Sequence, residues 1–75
     1  ILNFADDLVI STKVLARLML DEEINSLNYN IETVNKIVYI IGISSSREEK
    51  QKAIELSKDV FGVEEVVDYI TVKSE

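Results

Sequence analysis

Apolar residues fall on three sides of the segment DDLVISTKVLARLML, residues 6–20, where a helix packed on one layer needs a single apolar arc. At about 100° per residue, Ile10, Val14 and Leu18 form one stripe. Leu8, Leu15 and Met19 form a second, roughly a quarter-turn away, and Val9, Ala16 and Leu20 a weaker third. Lys13 and Arg17 are its basic residues, and Ser11 and Thr12 are small polar interruptions. Asp6 or Asp7 stands where an N-cap is wanted, which predicts a helix from near Leu8 to about Asp21 or Glu22. DEEINSLN then reads as a loop.

The period changes after this loop. In NYNIETV, Tyr29, Ile31 and Thr33 alternate with Asn28, Asn30 and Glu32, the pattern of a half-buried strand. Asn35–Lys36 makes a two-residue hairpin turn: Asn tolerates positive φ, and Lys is a poor second turn residue. IVYIIGI is a β-branched central strand in which Gly42 marks a bulge or a close backbone approach. SSSREEK starts a helix, with Ser45 or Ser46 as the cap and Glu48 or Glu49 completing a capping box. Its expected buried side is Ala53, Leu56, Ser57 and Val60, and Gly62 stands where a left-handed backbone is wanted. VEEVVDYITV closes the chain as a strand, with Val66, Asp68, Ile70 and Val72 on one parity and Val67, Tyr69 and Thr71 on the other. The order αββαβ implies an α+β domain, two helices on one face of a small three-stranded mixed sheet. Residues 6–73 are expected to form this single domain, with 1–5 as a lead or linker and 74–75 as a tail.

Composition narrows the chemistry. A chain of 75 residues is one domain with a small core, and a mean hydropathy of +0.10 argues against disorder. The absence of Cys removes disulfides and thiolate metal sites, and the absence of His removes the usual neutral-pH base and the commonest metal ligand. A net charge of −6 repels a nucleic-acid duplex or an anionic bilayer unless a local basic patch overrides it. The longest apolar runs, such as Ile37–Ile41, are too short to span a bilayer. The chain opens at Ile1 with no Met, basic n-region or cleavage site, so it is expected to be a processed or excised piece of a longer protein.

Each candidate site has a plainer competitor. Asp21-Glu22-Glu23 lacks the alternating spacing and turn glycine of a calcium loop and reads as solvated charge. Ser44-Ser45-Ser46 has neither the glycine-rich cradle nor the lysine of a phosphate loop, so capping explains it. Lys50, Lys52 and Lys58 are interleaved with Glu48, Glu49, Glu55 and Asp59, which reads as salt-bridge lacing. An RNA-binding KH module needs a GxxG loop, and the glycines at 42 and 62 do not make one. Tyr29, Tyr39 and Tyr69 read as amphipathic core edges. No acid–base pair, metal site or cofactor site is evident, and no enzyme is expected.

The surplus of the first helix has three explanations. The helix sits in a deep groove that covers every stripe, it is a self-association surface, or its edge touches a membrane with Lys13 and Arg17 snorkelling to phosphates.

The whole series of residues 6–72, from DDLVISTKVLARLML through NIETVNKIVYIIGISSSREEKQKAIELSKDVFGVEEVVDYITV, resembles a BON domain. The parts that carry the likeness are the Asp-x-x-Ile-Ser-Thr-Lys-Val start at Asp7–Val14, the hairpin at Asn35, Gly42, the Ala53 helix, and Gly62-Val63 followed by Val66. Lys36 departs from the family's turn glycine. The segment is most similar to the second BON domain of dual-domain outer-membrane lipoproteins. That likeness implies a non-catalytic, periplasmic or outer-membrane-associated domain that contacts anionic phospholipid headgroups through its first helix and supports envelope integrity. By position, the contact implied is through Val9, Ile10, Lys13 and Met19, with Val9 where relatives often place an aromatic. The helix pattern itself adds Leu8, Leu15 and Arg17, with Leu8, Val9, Leu15 and Met19 inserting shallowly and Lys13 and Arg17 near phosphate. The alternatives are docking of another envelope protein or self-association through the same surface, and regulatory binding of a small solute or ion. No cofactor, metal or nucleic acid is implied.

Overall fold

The computed structural model describes residues 4–73. Helix α1 (Phe4–Leu20) is followed by a 3-10 turn at Ser26–Asn28. Then come β1 (Tyr29–Val34), β2 (Ile37–Ser44), α2 (Arg47–Lys58) and β3 (Glu65–Val72). The sheet order is β1-β2-β3, with β1 antiparallel and β3 parallel to β2. This is the expected α+β arrangement.

Alternation decides which strand face is covered. Tyr29 and Ile31 of β1, Val38 and Ile40 of β2 and Ile70 of β3 meet the helices. From α1 they receive Ile10, Val14 and Leu18, and from α2 and its exit Ala53 and Val60. Each Val, Leu or Ile among them taken out of water stabilises the fold by about 1.5–3 kcal/mol before entropy is counted.

Gly42 is the close approach rather than a bulge, since the β1–β2 register runs unbroken from Tyr29↔Gly42 to Val34↔Ile37. A Cβ there would collide with the Asn28 carbonyl oxygen and press on the Tyr29 ring. The hairpin turns at Asn35 (φ 52°) and Lys36 (φ 67°), both left-handed, as a tight turn between twisted strands requires.

Helix α1 starts at Phe4, not near Leu8, so neither Asp6 nor Asp7 caps it. Asp7 does something the sequence did not disclose. It lies in the first turn, where a carboxylate suits the helix dipole, and it is buried. Its Oδ2 accepts from the Asn35 backbone N–H and its Oδ1 from the Lys36 backbone N–H, both at 2.9 Å. A cap and an acid deeper in the first turn leave the same mark in a sequence, and only the hairpin's position separates them.

The deep-groove expectation also fails. The Ile10, Val14 and Leu18 stripe is buried, whereas Leu8, Val9, Leu15, Met19 and Leu20 are exposed. The second helix packs beside α1 without covering it, because the three-stranded sheet seats both helices side by side.

Removing the Asp7 carboxylate leaves two turn amides without their charged acceptor, and hydrogen bonds to charged groups contribute about 1.5–3 kcal/mol each. Asp7→Ala should lower unfolding free energy by about 3 kcal/mol in a urea titration. A loss below about 0.5 kcal/mol would show that the clamp contributes little.

Candidate functional site

Two buried carboxylates can be set aside as scaffold: Asp7, and Glu49 at the start of α2. Ser46 is the N-cap of α2, its hydroxyl accepting from the Glu49 N–H at 3.0 Å. The expected reciprocal arm reaches one residue further, with the Ser45 N–H donating to Glu49 Oε1 at 3.0 Å. The Ser45 hydroxyl donates to the same oxygen, while Tyr29 Oη (2.8 Å) and the Asn25 N–H (3.4 Å) donate to Oε2. Burial pushes the Glu49 carboxyl up, but the bonds from Ser45, Tyr29 and Asn25 outweigh it and hold the group below its ordinary value. Burial, reinforced by Glu49, pushes the Tyr29 phenol up. Glu49 occupies the place an anion would take at the serine run, so that run is a cap.

The other charged candidates are also accounted for. Asp21 and Glu23 both pair with Lys52, at 3.0 and 2.8 Å, and Asp21 accepts from the Glu23 N–H. Lys52 holds the Asp21 carboxyl below its usual range. Lys50 pairs with Asp68 of β3 at 3.4 Å. Lys50 and Lys52 of α2 thus bridge to other parts of the chain rather than lacing their own helix. Such exposed pairs contribute little, because solvent screens the charges and the side chains lose freedom in pairing. Among the described residues no cluster of acidic side chains is arranged to hold a metal ion.

What remains is the outer side of α1. Leu8 (70% exposed) and Leu15 (39%) run beside β1, Met19 (64%) continues their row along the helix, and Val9 (50%) lies about a quarter-turn further round. Between these rows stand Ala16 and Thr12, and the Thr12 hydroxyl donates to the Leu8 carbonyl at 2.9 Å. The one polar group on this ridge is therefore satisfied by its own helix. Ser11, the other polar interruption, turns inward to bond Thr33 across to β1 at 2.7 Å.

Two of the expected contact residues are placed elsewhere. Ile10 is 5% exposed and lies in the core, because it shares a stripe with Val14 and Leu18. Arg17 reaches sideways to Asp59, 3.2 Å away just past α2. Leu8, Val9, Lys13, Leu15 and Met19 stand on the surface as expected.

Val9 and Lys13 also line a cleft of about 230 Å³ between α1, the hairpin and the α2–β3 loop. Lys36 enters it from the hairpin and Phe61 from the loop, with Asp6, Ile10 and Gly62 completing the wall. Sequence reasoning missed Phe61, which is 90% exposed. Its signal was faint: an aromatic one position beyond the Ser57–Val60 stripe, followed by a glycine that the structure shows at φ +97°. It also missed the open face of the sheet. There Ile41, Ile43 and Tyr69 are exposed, so Tyr69 is no core edge, because its parity is opposite to that of Ile70.

Residues 6–74 match the family model described as BON domain. The chain belongs to that family. It is similar to the "Uncharacterized protein in gshII 5'region" of Anaplasma centrale, 41% identical over 69 residues, covering 92% of this chain and 46% of that protein. It is also similar to "Osmotically-inducible protein Y" of Escherichia coli (strain K12), 34% identical over 71 residues, 95% of this chain and 35% of that one. The chain thus spans less than half the length of these relatives. No described helix is long and apolar enough to cross a membrane.

Two predictions follow from this geometry. Glu49 has a lower pKa folded than unfolded, so its stabilisation is full above about pH 4.3 and is lost as pH falls through the folded value. Glu49→Gln should cost about 2 kcal/mol at neutral pH, and its gap to wild type should narrow in urea titrations at lower pH. A gap constant with pH would disprove the linkage. For α1, Met19→Asp and Leu15→Asp should each stay within about 1 kcal/mol of wild type, whereas Ile10→Asp should lose more than about 4 kcal/mol. Comparable losses in circular-dichroism melts would mean that the outer stripes are packed.

Proposed function

We propose that the chain is a non-catalytic domain of a bacterial envelope protein, periplasmic or associated with the outer membrane, that contacts phospholipid headgroups through α1 and supports envelope integrity. The observation that carries this reading is the outer ridge of α1. It is apolar from Leu8 to Leu20 apart from a self-bonded Thr12, with Lys13 at its margin. A helix lying in an interface inserts such a face by several ångströms and keeps its cations near phosphate. Membership of the BON family and the likeness to an osmotically inducible protein support an envelope setting. The structure alters the expected partition of charge. Arg17 is shared with Asp59, so Lys13 is the α1 cation free of a carboxylate among the described residues. With a net charge of −6 the contact is shallow and local, and screening over about 10 Å at 0.1 M salt weakens it.

Docking of another envelope protein or of a second copy is the second reading. It is favoured by the exposed Ile41, Ile43 and Tyr69 on the open sheet face as well as by α1.

The test is an amide-shift titration of the labelled chain with bicelles containing phosphatidylglycerol or only phosphatidylcholine, at two salt concentrations. Shifts confined to residues 8–20 and the adjoining loops, larger with the anionic lipid and reduced by salt, are expected. No shift at saturating lipid, together with mass that rises with protein concentration, would replace the lipid reading with the docking one.

A further inference from the structure

The cleft beside Val9 has a charge pattern that an anion alone does not match. Lys13 comes from α1 and Lys36 from the hairpin, and neither is in an ion pair among the described residues. Asp6 stands at the same rim, exposed, one turn of helix from Val9 and Ile10. Two cations and one carboxylate around one opening complement a group that carries a phosphate and an ammonium together. A purely anionic headgroup would meet repulsion on the Asp6 side. The volume, about 230 Å³, lies under the usual range of roughly 300–1,000 Å³ for drug-sized ligands and suits a headgroup-sized one.

The apolar half of the cleft points to a lipid rather than a free solute. Phe61 projects almost fully into solvent beside Val9, and covering these two apolar side chains takes apolar atoms that a small polar molecule does not bring. Both gain from acyl carbons just beneath a headgroup. The backbone that carries two of the lining side chains, Lys36 and Phe61, is also anchored before any ligand arrives. The backbone amides of Asn35 and Lys36 are held by Asp7, and the left-handed Gly62 sets the turn that carries Phe61. A preorganised site loses less conformational freedom on binding.

We propose that this cleft seats the headgroup of an ethanolamine-bearing phospholipid, with the phosphate between Lys13 and Lys36, the ammonium at Asp6, and Phe61 and Val9 against the first acyl carbons. The proposal rests on the lipid reading of α1 and adds the class of headgroup selected. Ethanolamine and choline phospholipids have the same net charge, so a preference between them isolates the hydrogen-bonding ammonium from bulk attraction.

The experiment is vesicle co-sedimentation of the 75-residue chain with phosphatidylcholine vesicles, alone or mixed with phosphatidylethanolamine or phosphatidylglycerol. The expected gain is that of one exposed charge pair, so the ethanolamine mixture should bind roughly 1.4- to fivefold more tightly than choline alone. Asp6→Asn should abolish that preference and leave binding to the glycerol lipid equal or stronger. Lys36→Gln should weaken binding to both mixtures. Equal binding of the ethanolamine and choline vesicles would overturn the proposal while leaving α1's contact with the glycerol lipid intact. A preference that persists in Asp6→Asn would also overturn it, by tracing the effect to looser bilayer packing. Binding to none of the vesicles would instead remove the parent reading. Saturable binding of free O-phosphoethanolamine without vesicle binding would overturn the lipid as the source.

Discussion

The Asp7 carboxylate, buried in the first turn of α1 and accepting the backbone N–H groups of Asn35 and Lys36, is the interaction on which the rest of the arrangement depends. A hairpin whose second turn residue is Lys rather than Gly carries a left-handed backbone strain of about 1–2 kcal/mol. Two charge-assisted bonds at 2.9 Å offset that strain. They also fix where α1 begins relative to β1 and β2. Glu49 repeats the device at the other end of the sheet, gathering Ser45, Tyr29 and Asn25 around the start of α2. Each helix is thus pinned by a carboxylate near its N-terminus that accepts hydrogen bonds from elsewhere in the chain, two turn amides for Asp7 and the Tyr29 hydroxyl and Asn25 amide for Glu49.

That pinning explains how α1 can leave so much apolar surface uncovered. A helix held only by packing would need a broad buried arc. Here the narrow stripe of Ile10, Val14 and Leu18, the Ser11–Thr33 bond and the Asp7 clamp suffice to orient it. The Leu8 and Val9 rows are released from structural work. A helix oriented in this way keeps apolar residues exposed without needing them for its own placement.

Charge is distributed with the same economy. Lys50, Lys52 and Arg17 are each tied to a carboxylate on a different element, so they join layers rather than create a positive patch. Lys13 and Lys36 stand apart from these pairs, on two elements that the Asp7 clamp brings together. In so acidic a chain, a local pair of cations is a placed feature of the surface, and its position depends on the hairpin.

The sequence by itself determined what nearest neighbours decide. The three strands follow from alternation, the Asn35–Lys36 turn from tolerance of positive φ, and the α2 cap from a serine three residues before a glutamate. The choice of Ser46 over Ser45, and of a close approach over a bulge at Gly42, came with the structure. The core stripe of α1 was legible as one of three, but nothing local said which one the sheet would take. Tertiary structure alone settled that Ile10 is core, that no groove covers Leu8 or Met19, and that Arg17 leans to Asp59. It also turned Asp7 from an expected cap into a clamp on a turn 28 residues away. Phe61 and Lys36 joined the α1 surface for the same reason. The side-chain pattern fixes which way a residue points from its own element, but which elements meet depends on how the layers close around the core.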